Sequence, residues 1–325
     1  LAAGARVFTA TAAQGLELMH EVLHITSGLR LPVVMAVPGR ALSAPISIHG
    51  DYQDIMNARD TGWVMFIASS AQEVYDSIIM AYKIAEDSRV LLPVMVSYDG
   101  FLMSHTTEPV EIYQEEYVRK FTPRNLNRHR LDPRKPLTMG VIAGPDWYYE
   151  IKYQAIRALR ESKMVIKEAH DEFNKSFGAN YDLIERYMVD DADYVLITYG
   201  GVSSGNAKEA TRRARERGIK AGVLRIRLFR PFPTEEVVNA LKGVKAAAVI
   251  DRALMPGNTY EGPVFSDVLS ALYSKGVDVP LVSVVHGISQ RTIFVDDLYN
   301  LYKMLDEYAR TGEYPKETIF MGLRS

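Results

Sequence analysis

Short apolar segments alternate with helical segments along most of this chain of 325 residues. In the first block the predicted strands are Leu31–Val37, Trp63–Ala68 and Val90–Ser97, which are rich in Val, Ile and Met and bounded by Pro, Gly or a charge. Between the last two strands, Ser70 and Glu73 form a capping box at the start of an amphipathic helix. Strand–helix–strand alternation implies parallel strands in a sheet that helices cover on both faces. The pattern therefore predicts an α/β fold.

A second block begins near Asp190 and repeats this alternation. Its predicted strands are Tyr194–Tyr199, Ala221–Leu228, Ala246–Ile250 and Leu281–Val285. Its predicted helices are Asn206–Arg217, Thr234–Leu241, Phe265–Lys275 and Asp296–Thr311. We therefore expect a second, doubly wound parallel α/β domain.

A polar stretch with several prolines separates the two blocks. Between residues 108 and 148 the periodicity is lost, and the cluster RNLNRHRLDPRK at 124–135 favours a solvated linker over an anion site. A long helix is predicted over Tyr149–Phe177, with Gly178 at its C-cap. We predict three parts, namely a first domain at 1–112, a linker with the long helix at 113–189 and a second domain at 190–325.

The composition excludes several classes of protein. With 38 Lys and Arg against 40 Asp and Glu the net charge is −2, which lacks the basic field that nucleic acid or an anionic membrane attracts. No apolar run approaches the roughly 20 residues of a membrane span. The chain has no cysteine, which excludes disulfides, thiol nucleophiles and Cys-bound zinc or iron–sulfur clusters within it. We expect a cytoplasmic protein whose natural N-terminus lies upstream of Leu1, because the chain starts inside a pattern without Met or a signal peptide.

The segment His20–His24 (HEVLH) fits the H-E-x-x-H pattern of zinc hydrolases. Its surroundings favour an ordinary amphipathic helix, because Leu16, Met19 and Leu23 form one apolar stripe and the polar residues fall on the opposite face. A catalytic zinc needs a third protein ligand, and no spacing downstream indicates one. The sequence therefore predicts no metal site in this chain.

The segment Gly200–Gly205 (GGVSSG) joins a predicted strand to a predicted helix, where a phosphate would meet backbone N–H groups. It departs from the dinucleotide fingerprint G-x-G-x-x-G, because the third position is Val202 and no acidic ribose partner is identifiable. An ordinary strand–helix turn is the favoured interpretation.

The segment Pro38–Pro45 (PGRALSAP) leaves the carboxyl end of a predicted strand, the edge at which open α/β sheets bind ligands. Arg40 in this loop is suited to hold a carboxylate with two parallel hydrogen bonds. A surface arginine is the alternative interpretation. The next segment, Ile48–Asp54 (IHGDYQD), carries no strand or helix signal and is interpreted as either an active-site loop or a turn.

Several segments, taken in order, resemble one family of proteins. They are GARVFTATAAQGLELMHEVL, RALSAPISIHGDYQD, RDTGW, AEDSRVLLPVMVSYDGF with SH after it, LDPRKP and RPFPTEE. Together they resemble the α subunit of the multi-subunit 2-oxoacid:ferredoxin oxidoreductases, with the pyruvate enzymes as the nearest type. This resemblance covers nearly the whole chain. It implies that the first block is the pyrimidine-binding domain for thiamine diphosphate and that the second is a transketolase C-terminal-like domain.

The resemblance also implies a reaction, the oxidative decarboxylation of a 2-oxoacid with coenzyme A to acyl-CoA, carbon dioxide and reduced ferredoxin. Residue by residue, Arg40 matches the arginine that holds the substrate carboxylate. Ile48 matches an apolar residue that packs against the substrate or thiamine. The sequence IHGDYQD of this loop differs from the N-D-H-S-D motif of the pyruvate enzymes. Branched-chain and aryl 2-oxoacids are therefore alternatives to pyruvate.

Finally, the resemblance implies that the chain works in a complex. In the family the Mg²⁺–diphosphate motif belongs to a partner β subunit, and [4Fe-4S] clusters lie on Cys-rich γ- and δ-type ferredoxin-like partners, in keeping with the absence of Cys here. The glutamate that activates thiamine and a Y-P-I-T-P-like substrate loop lie upstream of the first residue of this chain. A noncatalytic scaffold subunit is the alternative from a different class.

Overall fold

A computed structural model describes residues 1–124 and 129–324 of the chain. The charged cluster at 124–135 is therefore described only in part, since its residues 125–128 lie outside the described residues. Within the described part, no helix is both long enough and apolar enough to cross a membrane.

The described strands form two sheets. They are β1 (Phe8–Ala10), β2 (Val34–Gly39), β3 (Val64–Ile67), β4 (Val94–Asp99), β5 (Ile184–Tyr187), β6 (Tyr194–Tyr199), β7 (Ala221–Ile226), β8 (Leu228–Arg230), β9 (Ala246–Asp251), β10 (Leu281–Val285) and β11 (Ile319–Phe320). The first sheet has the order β1-β2-β4-β3-β8 and the second has the order β11-β10-β9-β6-β7-β5. Neighbouring strands are parallel except in the pairs β3–β8 and β5–β7. The predicted α/β class with two parallel-dominated sheets is confirmed.

Helices connect the strands in the predicted alternation. They are α1 (Gln14–Leu18), α2 (His20–Gly28), α3 (Gln53–Ala58), α4 (Ala71–Glu86), α5 (Leu102–His105), α6 (Glu115–Phe121), α7 (Pro145–Phe177), α8 (Gly201–Glu216), α9 (Thr234–Leu241), α10 (Pro263–Ser274) and α11 (Val295–Thr311). The Ser70 hydroxyl caps α4 by accepting the Glu73 backbone N–H at 3.1 Å. Gly178 ends α7 with φ +69°, a left-handed conformation that favours glycine.

The structure differs from the sequence prediction in the bounds of several elements, and three differences concern which elements form. The predicted strand Ala221–Leu228 is two strands, because the chain leaves the second sheet after Ile226 and β8 pairs antiparallel with β3 of the first sheet. Helix α6 lies inside the stretch interpreted as linker. Helix α3 begins at Gln53, so the end of IHGDYQD is helical and is not a loop. The division at 1–112, 113–189 and 190–325 stays a prediction, and β8 shows that the second block contributes to the first sheet.

One apolar core runs without interruption between the two sheets. It includes Trp63 and Met65 from the first block and Val195, Leu224 and Val264 from the second. Trp63 is fully buried, and its indole N–H donates to the Leu23 carbonyl at 3.0 Å. The two blocks therefore share one continuous apolar core, and neither is packed independently of the other.

A buried charge network also joins the sheets. The Glu73 carboxylate accepts from the Arg225 Nη1 at 3.1 Å and from the Arg227 Nε at 2.6 Å, and all three side chains are buried. Arg225 also pairs with Glu185 at 2.6 Å, so the two cations face two carboxylates. Burial opposes ionisation of Glu73, but Arg225 and Arg227 outweigh it and lower the pKa of its carboxyl to about 2.

We expect Glu73→Gln to destabilise the chain at neutral pH by on the order of 3 kcal/mol, because two buried guanidinium groups lose a counter-ion. The folded-state pKa is below the ordinary value of 4.5, so this stabilisation is complete above that value and is lost as the pH falls toward 2. Urea unfolding at several pH values should show that the difference in the free energy of unfolding between wild type and variant becomes smaller at acidic pH. Glu172→Gln, which removes a surface ion pair with Lys83, is the control and should change little. If this difference in the free energy of unfolding were the same at every pH, an ionised Glu73 would not be the source of the stabilisation.

Candidate active site

The candidate site lies where β2 and β4 end, at the carboxyl edge of the first sheet. The Gly100 backbone N–H after β4 donates to the Gly39 carbonyl at 3.1 Å. A Cβ on Gly100 would lie 2.2 Å from that carbonyl oxygen and 2.7 Å from the Arg40 Cγ. Glycine is therefore required at position 100, because only it lets the segment after β4 pass directly beside Arg40.

The structure brings the two predicted site residues, Arg40 and Ile48, into direct contact. The Arg40 Nε donates to the Ile48 carbonyl at 2.9 Å, and the Arg40 side chain is half-buried. Among the described residues, neither terminal nitrogen of this guanidinium has a hydrogen-bond partner. Its fork is therefore available to meet an anion, as the carboxylate interpretation requires.

Asp54 fixes the base of this loop. Its buried carboxyl accepts backbone N–H groups from Ala13 at 2.8 Å, from Arg40 at 3.1 Å and from Ile55 at 2.8 Å. Burial raises the pKa of Asp54 to about 7, although the three N–H donors act in the opposite direction. Because Asp54 lies in the first turn of α3, that helix carries the contact that holds Arg40 in place.

Arg252, which follows β9 of the second sheet, reaches across to this edge. Its Nη1 pairs with the Asp99 Oδ2 at 2.5 Å and its Nη2 donates to the Gly50 carbonyl at 3.2 Å. The Arg252 carbonyl in turn accepts the Tyr52 backbone N–H at 2.9 Å. Arg252 and Asp99 are both fully buried. The second block therefore holds the end of the loop that begins at Arg40.

Gly200 of the segment GGVSSG lies against the first block. A Cβ on Gly200 would lie 2.2 Å from the Tyr52 hydroxyl oxygen, and one on Gly201 would lie 2.5 Å from the Ser69 carbonyl oxygen. The space beside both glycines is thus filled by protein. Gly200 is the single residue between β6 and α8, and Gly201–Gly205 already belong to α8, which begins five residues before the predicted helix at Asn206. The glycines at 200 and 201 permit the close approach of the two blocks.

Aromatic and apolar side chains flank Arg40 at the surface. The Phe101 ring is stacked between the rings of His49 and His105, with centroids 4.6 and 4.8 Å apart. Ile46 is 83% exposed, Ile48 is 59% exposed and Leu102 is 41% exposed. An exposed arginine fork bordered by apolar side chains is suited to a small organic anion and to a covering partner.

The two histidines of the H-E-x-x-H pattern lie on one short helix. His20 and His24 lie on α2 with ring centroids 5.3 Å apart. In the described ranges, no group of three His, Cys, Asp or Glu side chains is arranged to hold a metal ion.

Sequence reasoning missed Asp54, Asp99 and Arg252. Asp99 ends β4, and Arg252 directly follows β9, so each lies at the carboxyl end of an apolar strand. A charged residue directly after an apolar strand could have indicated both as candidate site residues, because α/β sheets bind ligands at the carboxyl ends of their strands. Their pairing was not visible, because 153 residues separate them along the chain.

Two family models match the chain. The model described as "Pyruvate flavodoxin/ferredoxin oxidoreductase, thiamine diP-bdg" matches residues 1–171. The model described as "Pyruvate:ferredoxin oxidoreductase core domain II" matches residues 192–298.

Two curated relatives are similar to nearly the whole chain. Pyruvate synthase subunit PorA of Pyrococcus abyssi is 42% identical over 324 residues, which cover 99% of this chain and 81% of the relative. Ketoisovalerate oxidoreductase subunit VorA of the same organism is 40% identical over 325 residues, with the same coverage of 99% and 81%. Among solved structures, 2-oxoglutarate:ferredoxin oxidoreductase from Magnetococcus marinus matches with a TM-score of 0.64 and 16% identity, over 93% of this chain and 54% of that one. This structural match concerns the fold.

We expect Arg252→Met to destabilise the chain by about 3–5 kcal/mol, because the substitution leaves the Asp99 carboxylate buried without a counter-ion. Adding Asp99→Asn to the variant should recover much of that loss, since no buried charge then remains unpaired. Urea unfolding measures both. Arg89→Met removes a half-exposed arginine with two surface carboxylate partners and is the control. If Arg252→Met were as stable as this control, the ion pair would not support the junction of the two blocks.

Proposed function

Because this chain belongs to the pyruvate flavodoxin/ferredoxin oxidoreductase family, we propose that it is the α subunit of a thiamine-dependent 2-oxoacid:ferredoxin oxidoreductase. The reaction is the oxidative decarboxylation of a 2-oxoacid with coenzyme A to acyl-CoA, carbon dioxide and reduced ferredoxin. Pyruvate is the favoured substrate, since the relative with 42% identity is named a pyruvate synthase subunit. A branched 2-oxoacid is the second candidate, because the ketoisovalerate relative is nearly as similar at 40% identity.

The observation that carries this proposal is the Arg40 fork beside Ile48. A 2-oxoacid presents a planar carboxylate, which a guanidinium meets with two parallel N–H···O bonds. The Ile48 carbonyl holds the Arg40 Nε, and Asp54 holds the Arg40 backbone, so the fork is oriented before the substrate arrives. The Ile48 side chain, exposed at the same place, offers an apolar surface to the rest of the substrate or to thiamine.

The residues of this chain fit only part of thiamine diphosphate. The exposed apolar side chains of Ile46 and Ile48 suit packing against a flat heteroaromatic ring. The described residues hold no carboxylate cluster for the Mg²⁺ of the diphosphate. When bound, the cofactor supplies the stabilised carbanion chemistry of decarboxylation, and this chain contributes carboxylate binding and packing.

The rest of the machinery is therefore assigned to partner subunits. A β subunit would hold Mg²⁺ and the diphosphate, and γ- and δ-type subunits would hold the [4Fe-4S] clusters that reduce ferredoxin. The lack of cysteine supports this division, because cluster iron is ordinarily bound by Cys thiolates. It also suits a reducing compartment, and we place the complex in the cytoplasm.

We expect the isolated chain to bind thiamine diphosphate only weakly, at millimolar or higher concentration, because its described residues form no metal site for the diphosphate half. Isothermal titration with cofactor and Mg²⁺ measures this, and the assembled complex is the positive control. Micromolar binding by the isolated chain would contradict the shared site.

We expect Arg40→Ala in the assembled complex to lower kcat/KM for the 2-oxoacid, and kcat as well. The loss of kcat/KM should correspond to on the order of 2–4 kcal/mol of transition-state stabilisation. Arg40→Lys should be impaired less, because lysine keeps the charge but loses the bidentate geometry. Steady-state kinetics with a viologen acceptor measures both variants. Arg119→Ala, which changes an exposed arginine on α6, is the control. A kcat/KM for Arg40→Ala within about threefold of wild type would assign the carboxylate to another residue or make the chain a scaffold.

A further inference from the structure

Besides the bond from the Tyr52 backbone N–H to the Arg252 carbonyl, three hydrogen bonds from the second block hold the loop around Ile48. We call residues 40–52 the arginine loop. The Ser289 hydroxyl oxygen lies 2.5 Å from that of Ser47, and the Ser289 backbone N–H donates to the Asp51 carboxylate at 3.0 Å. The third contact is the bond from Arg252 to the Gly50 carbonyl at 3.2 Å. Ile48 thus lies between one fixed point at Ser47 and two others at residues 50 and 51.

The Ser47 hydroxyl connects the contact with Ser289 to the backbone around Ile48. It accepts the His49 backbone N–H at 3.2 Å, so it spans the backbone on both sides of Ile48. The Ile48 carbonyl is the partner of the Arg40 Nε. A displacement of Ser47 would therefore move the apolar side chain and the guanidinium together, and these are the two groups that a 2-oxoacid would contact.

The segment that carries Ser289 is shaped for this contact. Gly287, Ser289 and Gln290 have φ values of +74°, +47° and +60° after the end of β10. Such left-handed conformations are costly for Ser and Gln, so tertiary contacts must hold them. Gly287 also allows the turn to close over the junction, since a Cβ there would lie 3.0 Å from the Arg252 Nε. The turn brings both the backbone N–H and the hydroxyl of Ser289 to the first block.

We propose that Ser289 and Arg252 are positioning residues that set the distance between Ile48 and Arg40 and thereby decide which 2-oxoacid side chain is accepted. This inference rests on the proposed function. An apolar pocket discriminates by size only when its wall is held in place, because a mobile wall yields to an additional methyl group. The second block would accordingly tune substrate choice without touching the substrate.

The test uses the assembled complex with pyruvate and ketoisovalerate as the two substrates. Ser47→Ala and Ser289→Gly each remove one hydroxyl of the contact, and glycine tolerates the positive φ at position 289. Gln290→Gly is the matched control, because it adds the same backbone freedom to the same turn but leaves both hydroxyl groups. We expect each test variant to shift the ratio of the two kcat/KM values by about threefold or more toward equality, whereas the control keeps the wild-type ratio.

Two further measurements test whether a change in the substrate ratio comes from the contact between Ser47 and Ser289. The double variant Ser47→Ala/Ser289→Gly should shift the ratio no further than the single variants, because one contact joins the two hydroxyl groups. Hydrogen exchange of peptides covering residues 44–52 should be faster in all three variants than in wild type and in the control.

The outcomes separate the two proposals. If the wild-type complex turns over neither 2-oxoacid, the proposed function fails and this inference fails with it. If wild type is active and the variants keep its ratio, only the positioning role is overturned. Unchanged exchange in residues 44–52, or a control that shifts the ratio as much as the test variants, also overturns the positioning role.

Discussion

The buried ion pair between Arg252 and Asp99 is the contact on which the candidate site depends. Each residue ends or follows a central strand, one in each sheet, so the pair holds the carboxyl edges of the two sheets face to face. Further hydrogen bonds offset part of the cost of burying an ion pair. Here Asp99 accepts the backbone N–H groups of Phe101 and Leu102, and Arg252 donates to Gly50, whereas the buried Arg252 Nε has no hydrogen-bond partner among the described residues. These partners are parts of the site, which is why the pair and the site form together.

Close approach of backbones is the second requirement of this junction. Gly100 passes beside Arg40, and Gly200 packs onto the Tyr52 hydroxyl, at distances that a Cβ would not allow. Asp54 and Asp251 then satisfy backbone N–H groups that would otherwise be buried without partners. Burial raises the pKa of each of these carboxyls to about 7, which reflects the cost of placing acceptors in so dry a region. The carboxyls of Asp54 and Asp251 thus act as acceptors for the buried backbone.

The candidate site presents a surface that is both cationic and apolar. An oriented arginine fork, an exposed isoleucine and a stack of three rings form an apolar, cationic rim at one edge of the molecule. An arginine bordered by apolar side chains suits a small organic acid. Among the described residues, no group of three or more His, Cys, Asp or Glu side chains could hold a magnesium ion. Under the proposed function, partner subunits would supply the magnesium site and the iron–sulfur clusters, and a chain without cysteine suits that proposal.

The sequence alone determined the α/β class, most strand and helix positions, the family and the candidate residues Arg40 and Ile48, because hydrophobic periodicity and local motifs are properties of neighbouring residues. It did not reveal that β8 crosses to the first sheet, since an apolar strand matches either sheet equally well. It interpreted Gln53 and Asp54 as part of a loop or turn, because their helix has only six residues and too short a pattern to detect. Only the tertiary structure decided that Arg252 and Ser289 hold the arginine loop, because these contacts join residues more than 200 positions apart and no local pattern records such a pairing.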